Sequence, residues 1–285
     1  IVPKQWMIWM FAGALAVFGI GTFFDLQINQ ILYRPESVWA LFLYGFGAAP
    51  IFWCLLSSGI LLIFKIRTAN MWKNAGLTAV GILLTIFGLI FPAYYAYKHI
   101  TISLYLTVVS TFLVDVLPTA GILFLVWHTD QKKLRLMIAF MLILSIGSYA
   151  TVSLIKGLFQ RPRFIALLRE PGLFFQPWWM ITEKNLMISK NVLTEPDLFR
   201  SFPSGHTTSA AAIFAFVSLP LFSPAVEKQR NLLFVLAVGY VVLIAVSRIV
   251  LGYHFLTDVT AGFLISMAFF VFDYNWMVKK YKELS

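Results

Sequence analysis

Residues 247–258 combine an arginine, a histidine and an aspartate within one short stretch between two apolar runs. His254 and Asp258 are four positions apart, which on a helix would place them on one face. A carboxylate that accepts the N–H of one ring nitrogen leaves the other nitrogen as a base or nucleophile. Arg248 adds a fixed cation, and Gly252 marks a turn. A fixed cation beside an oriented imidazole suits attack on phosphorus, because negative charge builds on the phosphoryl oxygens during the reaction. The spacing of His254 and Asp258 alone would also suit a surface pair or a helix cap.

A second cluster of cations lies where an upstream apolar run ends. Lys156, Arg161 and Arg163 fall within eight residues, and Pro162 separates the two arginines. Anchoring at a membrane interface by snorkelling side chains is one interpretation of such a cluster. Guanidinium forks also match the oxyanions of a phosphate group, and the proline restricts the turn that aims them. The cluster therefore predicts a phosphate-binding segment.

The third candidate segment is Pro-Ser-Gly-His, residues 203–206, directly before another apolar run. Pro203 stops any earlier helix, and Ser204 is a good N-cap for the helix that follows. Gly205 permits close approach of a ligand to the backbone, and free N–H groups at a helix start attract anions. His206 would then lie beside a bound anion, where an imidazole can protonate a leaving oxygen. A serine that only caps the helix and a histidine that only lies at the membrane interface would produce the same sequence.

The composition indicates the elements that must position these residues. Of 285 residues, 60% are hydrophobic and 12% are charged, with a mean hydropathy of +0.84. A soluble domain carries roughly 25% charged residues, so this chain is predicted to be an all-α polytopic membrane protein. The net charge of +10 fits membrane orientation and contact with anionic lipid or substrate, and it does not favour nucleic acid. Cys54, a single cysteine in an apolar run, predicts no disulfide, thiolate or zinc chemistry.

Eight apolar runs are long enough to span a bilayer, which needs roughly 20 residues each. They cover about residues 6–24, 38–64, 75–97, 100–127, 136–155, 204–221, 232–246 and 255–278. We interpret residues 1–285 as one membrane domain, with the chemistry carried by about residues 136–278. Residues 156–203 form the longest connection between spans.

Positive charge sorts the connections into two sets. The short connections after the second, fourth and sixth runs and the C-terminal tail carry clusters of Lys and Arg, and such clusters mark the cytoplasmic side. Segment 156–203 and the turn at Arg248–His254 would then share the outer face. Asp115 lies within a run just before Pro118. A carboxylate there is a candidate functional group, or it hydrogen-bonds a neighbouring helix or a backbone that the proline has opened.

Taken together, the three segments resemble the type 2 phosphatidic acid phosphatase (PAP2) superfamily, which includes vanadium haloperoxidases and bacterial acid phosphatases. The first motif of that family is a Lys followed, after six residues, by Arg-Pro. The second motif is Pro-Ser-Gly-His. The third is Ser-Arg followed, after five residues, by His and, after three more, by Asp. The second and third patterns match in full. In the first, Phe164 follows Arg163 where the family has proline, although Pro162 keeps a proline in the turn. The family's six-helix core implies spans one, two and five to eight, with residues 75–127 as an inserted hairpin.

The resemblance implies a role for each matching residue. His254 would be the nucleophile that forms a phospho-histidine, Asp258 would orient it, and His206 would be the general acid. The phosphoryl oxygens would be held by Lys156, Arg163 and Arg248 with help from Ser204 and Gly205, and Arg161 would be a further neighbour. No metal or other cofactor is implied, because three side-chain cations supply the electrostatic stabilisation that Mg²⁺ supplies elsewhere.

The implied activity is hydrolysis of a lipid phosphomonoester or diphosphate. The substrates to consider are phosphatidylglycerophosphate, phosphatidate, undecaprenyl diphosphate and the phosphates of lipid A. Two alternatives stay open: transfer of the phosphoryl group to a second lipid, and a non-catalytic protein that binds or transports lipid. In a bacterium the site would lie on the periplasmic face of the inner membrane. Residues 173–179, rich in Phe and Trp, are predicted to lie along the headgroup boundary, either shaping a lipid entrance or simply anchoring the loop.

Overall fold

The computed structural model describes residues 2–100, 103–182 and 196–284. These residues are mostly helical and contain no β-strand, which confirms the all-α prediction. The α-helices are α1 (Lys4–Leu32), α2 (Val38–Phe46), α3 (Ala49–Phe64), α4 (Met71–Ile100), α5 (Leu104–Thr111), α6 (Leu117–Val126), α7 (Gln131–Leu142), α8 (Ser148–Phe159), α9 (Phe164–Arg169), α10 (Gly205–Ala211), α11 (Leu219–Phe222), α12 (Arg230–Val250) and α13 (Leu256–Leu284). Short π turns interrupt two spans at Phe112–Val116 and Ile143–Gly147, and 3₁₀ segments occur at Pro196–Phe199, Ala212–Ser218 and Pro224–Gln229.

Eight segments of the described chain are long and apolar enough to cross a membrane, as the sequence predicted. They are Lys4–Leu32, Val38–Phe64, Met71–Tyr97, Tyr105–Val126, Gln131–Arg169, Gly205–Phe222, Pro224–Val250 and Leu256–Leu284. The protein is therefore an integral membrane protein. Some helices extend beyond the apolar runs: α1 continues past residue 24 to Leu32, because its polar Asp25 and Asn29 find hydrogen-bond partners inside the protein.

The centre of the bundle is the span that begins at Gly205. Of its most apolar 18-residue window, 72% is buried, against 17% for the corresponding window of α1. Helix α10 lies against α8, α12 and α13, and the packing is close where α10 meets α13. A Cβ on Gly262 would approach the Ser204 carbonyl oxygen to 2.5 Å, so only glycine fits there. This contact joins the Pro-Ser-Gly-His segment to the helix that carries Asp258.

The three candidate segments meet at one end of the bundle. Backbone hydrogen bonds connect Arg34 to Val250, Ile165 to Gly252, and Ser204 to Asp258, with N···O distances of 2.8, 3.1 and 2.9 Å. At the opposite end, the side chains of Gln131 and Arg135 bond to the backbone of Arg67, and Thr129 bonds to Phe222. The connections after the first, fifth and seventh spans thus share one end of the bundle, and those after the second, fourth and sixth spans share the other.

The hairpin formed by the third and fourth spans packs firmly on the bundle. Gly59 of α3 and Gly81 of α4 face each other, and a Cβ on Gly81 would lie 2.7 Å from the Gly59 carbonyl oxygen. Such close backbone approach through small residues is typical of helix pairs in membranes. Helix α4 also contacts α2, which brings its C-terminal part to the end where the candidate segments lie.

Asp115 lies in the π turn of this hairpin and is 1% exposed. Pro118 cannot donate a backbone N–H to the carbonyl of Val114, four residues earlier. The carbonyl instead accepts a hydrogen bond of 2.8 Å from Trp53 Nε1 of α3. The sequence analysis considered Asp115 as a hydrogen-bond partner for the backbone opened by the proline. In the structure, Trp53 of the neighbouring helix is that partner. One carboxyl oxygen of Asp115, Oδ1, has no hydrogen-bond partner among the described residues.

Candidate active site

His254 and Asp258 come together through a turn rather than along one helix. His254 precedes α13, and Asp258 lies in its first turn, so the two residues do not lie along one helical face. Gly252 adopts φ +69°, and a Cβ there would approach side chains of Ile165 and Tyr33 to 2.8 Å. The turn places His254 Nδ1 3.7 Å from Asp258 Oδ2. This separation is longer than a hydrogen bond, and the pair would have to tighten when a substrate binds.

The Asp258 carboxylate is fully buried and surrounded by donors. It accepts hydrogen bonds from Arg161 Nη1 at 2.6 Å, from Ser201 Oγ at 2.5 Å and from the backbone N–H of Phe255 at 2.7 Å. A carboxylate with a cation and several donors is held in its charged form. Asp258 is therefore a fixed negative charge beside the His254 ring.

Arg161 lies behind this pair, which differs from its predicted place on the phosphate. Its guanidinium is 0% exposed and bridges two carboxylates, Asp258 and Asp25, with the Nη2–Oδ2 distance to Asp25 at 2.9 Å. Its Nε donates to the carbonyl of Gln176, and its Nη1 also donates to Thr257 Oγ1. With four protein acceptors around it, the Arg161 side chain positions Asp258 and is not available to the phosphoryl oxygens.

Asp25 is a site residue that the sequence analysis missed. It extends from α1, where it accepts a hydrogen bond of 2.9 Å from the Thr257 N–H, contacts the Thr257 hydroxyl and pairs with Arg161. The signal in the sequence was an aspartate directly after an apolar run, which resembled the start of a polar connection. Its partners are more than 130 positions away in the chain, so spacing could not reveal the network.

Arg248 supplies the most unusual feature of the site. It lies in the last turn of α12, is 1% exposed, and its guanidinium carbon lies 4.4 Å from the ring centre of Tyr44 and 4.8 Å from that of Tyr253. Its Nε and Nη1 have no hydrogen-bond partner among the described residues. Buried charged donors almost always have partners, and a cation left without them is strongly unfavourable. The free N–H groups of Arg248 therefore indicate a place for an anion.

Two further cations lie around the same point. Arg163, at the start of α9, lies 5.1 Å from the Tyr253 ring that also contacts Arg248, and its Nε is without a hydrogen-bond partner in the described chain. Lys156 Nζ donates to the Arg200 carbonyl at 2.8 Å, and it would lie 3.8 Å from a Cβ built on Gly205. The structure thus brings these two predicted cations to the segment that holds Arg248.

The Pro-Ser-Gly-His segment forms the start of α10 as predicted. Ser204 is the N-cap and is fully buried, and its hydroxyl accepts hydrogen bonds from the N–H and the hydroxyl of Thr207 at 3.4 and 3.1 Å. Gly205 is the first helical residue, and His206 follows it. His206 Nε2 lies 3.0 Å from the Tyr95 hydroxyl and 3.3 Å from the Tyr44 carbonyl oxygen.

The protonation state of His254 follows from its surroundings. Burial lowers the pKa of His254 from 6.5 to about 3, and the positive charges of Lys156 and Arg163 act in the same direction. Asp258 opposes this shift only in part. His254 is therefore a neutral imidazole near neutral pH, which is the form that can use a ring nitrogen as a nucleophile.

Three tyrosines that the sequence analysis did not select form one wall of the site. Tyr44 stacks on Tyr253 with ring centres 4.9 Å apart, and the rings of Tyr44 and Tyr95 lie 5.5 and 5.4 Å from the His206 ring. Tyr253 directly precedes His254, which was a usable signal. Tyr44 and Tyr95 lie in spans far from the motifs, and nothing in their local sequence distinguishes them from other membrane tyrosines.

The sequence model of the PAP2 superfamily matches residues 135–282. Phosphatidylglycerophosphatase B of Bacillus subtilis is 32% identical over 87 residues, which is 29% of this chain and 43% of that protein. The alignment with this relative thus spans less than half of the relative's length. No solved structure matches.

The family match and the geometry agree on the same part of the molecule. The matched residues include all three candidate segments, and they leave the first four spans outside. The resemblance implied that these segments would cluster at one end of the bundle. Because the family match covers more than half of the chain, this chain is a member of the PAP2 superfamily.

Proposed function

We propose that the protein is a membrane-embedded phosphatase that hydrolyses a lipid phosphomonoester or diphosphate through a phospho-histidine. The observation that carries the proposal is Arg248, a buried guanidinium with unpaired N–H groups, next to the neutral His254. Lys156 and Arg163 add two more cations at the same place. A phosphoryl group supplies the oxyanions that such a cluster needs.

Each residue has a defined part in the proposed reaction. His254 Nε2 attacks phosphorus. Asp258 stabilises the positive charge that develops on the ring by accepting a hydrogen bond from Nδ1–H, and it does not take the proton. The bond from phosphorus to the lipid oxygen breaks, and His206 gives its proton to that oxygen. Water then attacks the phospho-histidine, its proton passes to His206, and the P–N bond breaks to release phosphate. The cations stabilise the charge on the phosphoryl oxygens in both steps.

A lipid substrate is supported by the membrane setting and by the relative. The site lies at the end of a bundle of membrane-spanning helices, where a phosphate headgroup would be located, and the similar B. subtilis protein is named a phosphatidylglycerophosphatase. The Lys and Arg clusters of the short connections after the second, fourth and sixth spans lie at the other end, so we propose that the site faces the outer leaflet, the periplasmic side in a Gram-negative bacterium.

The test is phosphate release by the purified protein, with EDTA present, across phosphatidylglycerophosphate, phosphatidate, undecaprenyl diphosphate and lipid A. Release is expected from at least one lipid, and His254→Ala should abolish it without unfolding the protein. Asp258→Asn should slow it by roughly 10⁴-fold, as in a triad that loses its carboxylate. Phosphate that appears only on an added acceptor lipid would instead support a phosphotransferase. A His254→Ala variant that still turns over would refute the nucleophile.

A further inference from the structure

Tyr95 is the one site residue described above that the hairpin of the third and fourth spans contributes. It lies near the C-terminal end of α4, outside the family-matched residues 135–282. Its hydroxyl is 3.0 Å from His206 Nε2, and its ring lies 5.4 Å from the imidazole. A span that could have been an inserted addition to a six-helix core therefore contacts the proposed general acid directly.

The surroundings of His206 explain what this contact can do. The carbonyl of Tyr44 accepts at 3.3 Å from the same Nε2, so this nitrogen has two oxygen atoms beside it. Around the ring are the cations Arg248, Lys156 and Arg163 and the second histidine, His254. Cations disfavour the protonated imidazole that a general acid must be. Oxygen acceptors at Nε2–H favour it, because each offers its lone pairs to the positive ring.

We propose that Tyr95 is a positioning residue for His206: its hydroxyl accepts from Nε2–H, supports the protonated ring and fixes its orientation toward the leaving oxygen. The hairpin of the third and fourth spans is then part of the catalytic apparatus. Tyr95 does not contact phosphorus or the leaving group, so its effect passes through His206. This inference rests on the proposed function, since it deepens the role of His206 in that reaction.

The kinetic test compares two substrates that differ in their need for an acid. A long-chain alkyl phosphate has a poor leaving group that must be protonated, whereas a long-chain nitrophenyl phosphate leaves as a stable anion. Tyr95→Phe should lower kcat by about 10-fold for the alkyl phosphate, the worth of one good hydrogen bond, and by less than about 2-fold for the nitrophenyl phosphate. It should also move the basic limb of the pH–rate profile to lower pH.

Two controls distinguish a positioning role from a structural one. Tyr97→Phe changes an exposed tyrosine of the same helix and should leave both rates unchanged. In a His206→Asn background, adding Tyr95→Phe should have no further effect on the alkyl phosphate. Equal losses on both substrates, or an unchanged alkyl phosphatase rate, would overturn the proposal.

A spectroscopic readout separates this inference from the proposed function. In protein labelled with ¹⁵N-histidine, Tyr95→Phe should shift the ring signals of His206, assigned with His206→Asn, and Tyr97→Phe should leave them in place. If the wild-type protein releases no phosphate from any substrate, the proposed function fails. The histidine spectrum would still decide the contact: an unshifted His206 signal would refute it whatever the activity.

Discussion

At the scale of single residues, burying the charge of Arg248 is unfavourable for the stability of the protein when no anion is bound. Its charge is buried against two tyrosine rings with two N–H-bearing atoms, Nε and Nη1, unpaired within the described chain. Replacing a poorly compensated buried charge with an apolar side chain of similar length is often neutral or stabilising. The cost of this arginine is consistent with selection for anion binding rather than for stability.

The Arg248→Met variant tests this interpretation. We expect it to lose activity while its unfolding temperature stays equal to or above that of the wild type. Orthovanadate at 100 times its Kd should stabilise the wild type by about 2.7 kcal/mol and should not stabilise the variant. Thermal unfolding in detergent with and without vanadate measures both effects. An early-unfolding variant that still responds to vanadate would contradict the role of Arg248.

The pKa of His254 predicts a pH dependence of stability. Because burial lowers the pKa to about 3, the folded protein leaves His254 neutral at pH values where the unfolded chain, with a pKa of 6.5, binds a proton. Stability from this group is complete above pH 6.5 and is lost as the pH falls toward 3. At pH 4.5 the loss would be about 2 to 3 kcal/mol.

The comparison that isolates this effect uses His254→Gln, which has no proton to gain. Between pH 7.5 and pH 4.5 the unfolding temperature of the variant should fall less than that of the wild type. Groups that His254 does not influence titrate equally in both proteins, so their contributions cancel in the comparison. Parallel pH curves for the two proteins would mean that His254 is protonated as easily in the fold as in the unfolded chain.

At the scale of elements, the site depends on how closely α10 approaches α13. The Ser204 N–H donates to the Asp258 carbonyl oxygen. The carbonyl oxygen of Ser204 would lie only 2.5 Å from a Cβ at position 262. Any side chain at position 262 must therefore push α10 and its Pro-Ser-Gly-His segment away from the turn that carries His254. Helix packing here sets the distance between the two proposed catalytic histidines.

Gly262→Ala should destabilise the protein by about 1 to 3 kcal/mol, the usual cost of overpacking, and reduce activity with it. Gly239→Ala in α12 is the matched control, because a Cβ there meets nothing within 4 Å. In a helix interior that change should be neutral or stabilising by up to roughly 1 kcal/mol. Thermal unfolding and phosphate release of the pair measure both effects; a Gly262→Ala protein as stable and active as the control would show that α10 can move freely.

At the scale of the whole molecule, the short Lys- and Arg-rich connections and the candidate site lie at opposite ends of the bundle. The connections near Arg67, Gln131 and Phe222 form one end, and the proposed site forms the other. Because clusters of Lys and Arg stay in the cytoplasm, the site end is predicted to face outward. The direction of the bundle in the membrane decides which leaflet would supply the proposed lipid substrate.

Single cysteines can test this orientation, since Cys54 is buried and can be replaced by alanine. In that background, Glu36→Cys marks the site end and Lys228→Cys marks the other end; both positions are exposed. A membrane-impermeant thiol reagent should label Glu36→Cys in right-side-out vesicles and Lys228→Cys in inside-out vesicles. The reverse pattern would place the site in the cytoplasm.

The sequence alone determined the membrane class, the eight spans and the three segments that make the candidate site. Long apolar runs and fixed spacings such as Ser-Arg, five residues, His, three residues, Asp are local properties that can be read without a fold. The N-cap at Ser204 and the turn at Gly252 were predicted for the same reason, because each depends on a few neighbouring residues.

Only the tertiary structure decided what surrounds those segments. Asp25, Tyr44 and Tyr95 reach the site from spans more than 100 positions away from their partners, and Arg161 proved to bridge Asp25 and Asp258 rather than to face the phosphate. Side chains in a membrane bundle meet through helix packing, which sequence spacing does not encode. The motif residues were therefore identifiable from the chain, whereas their supporting network was set by which helices lie side by side.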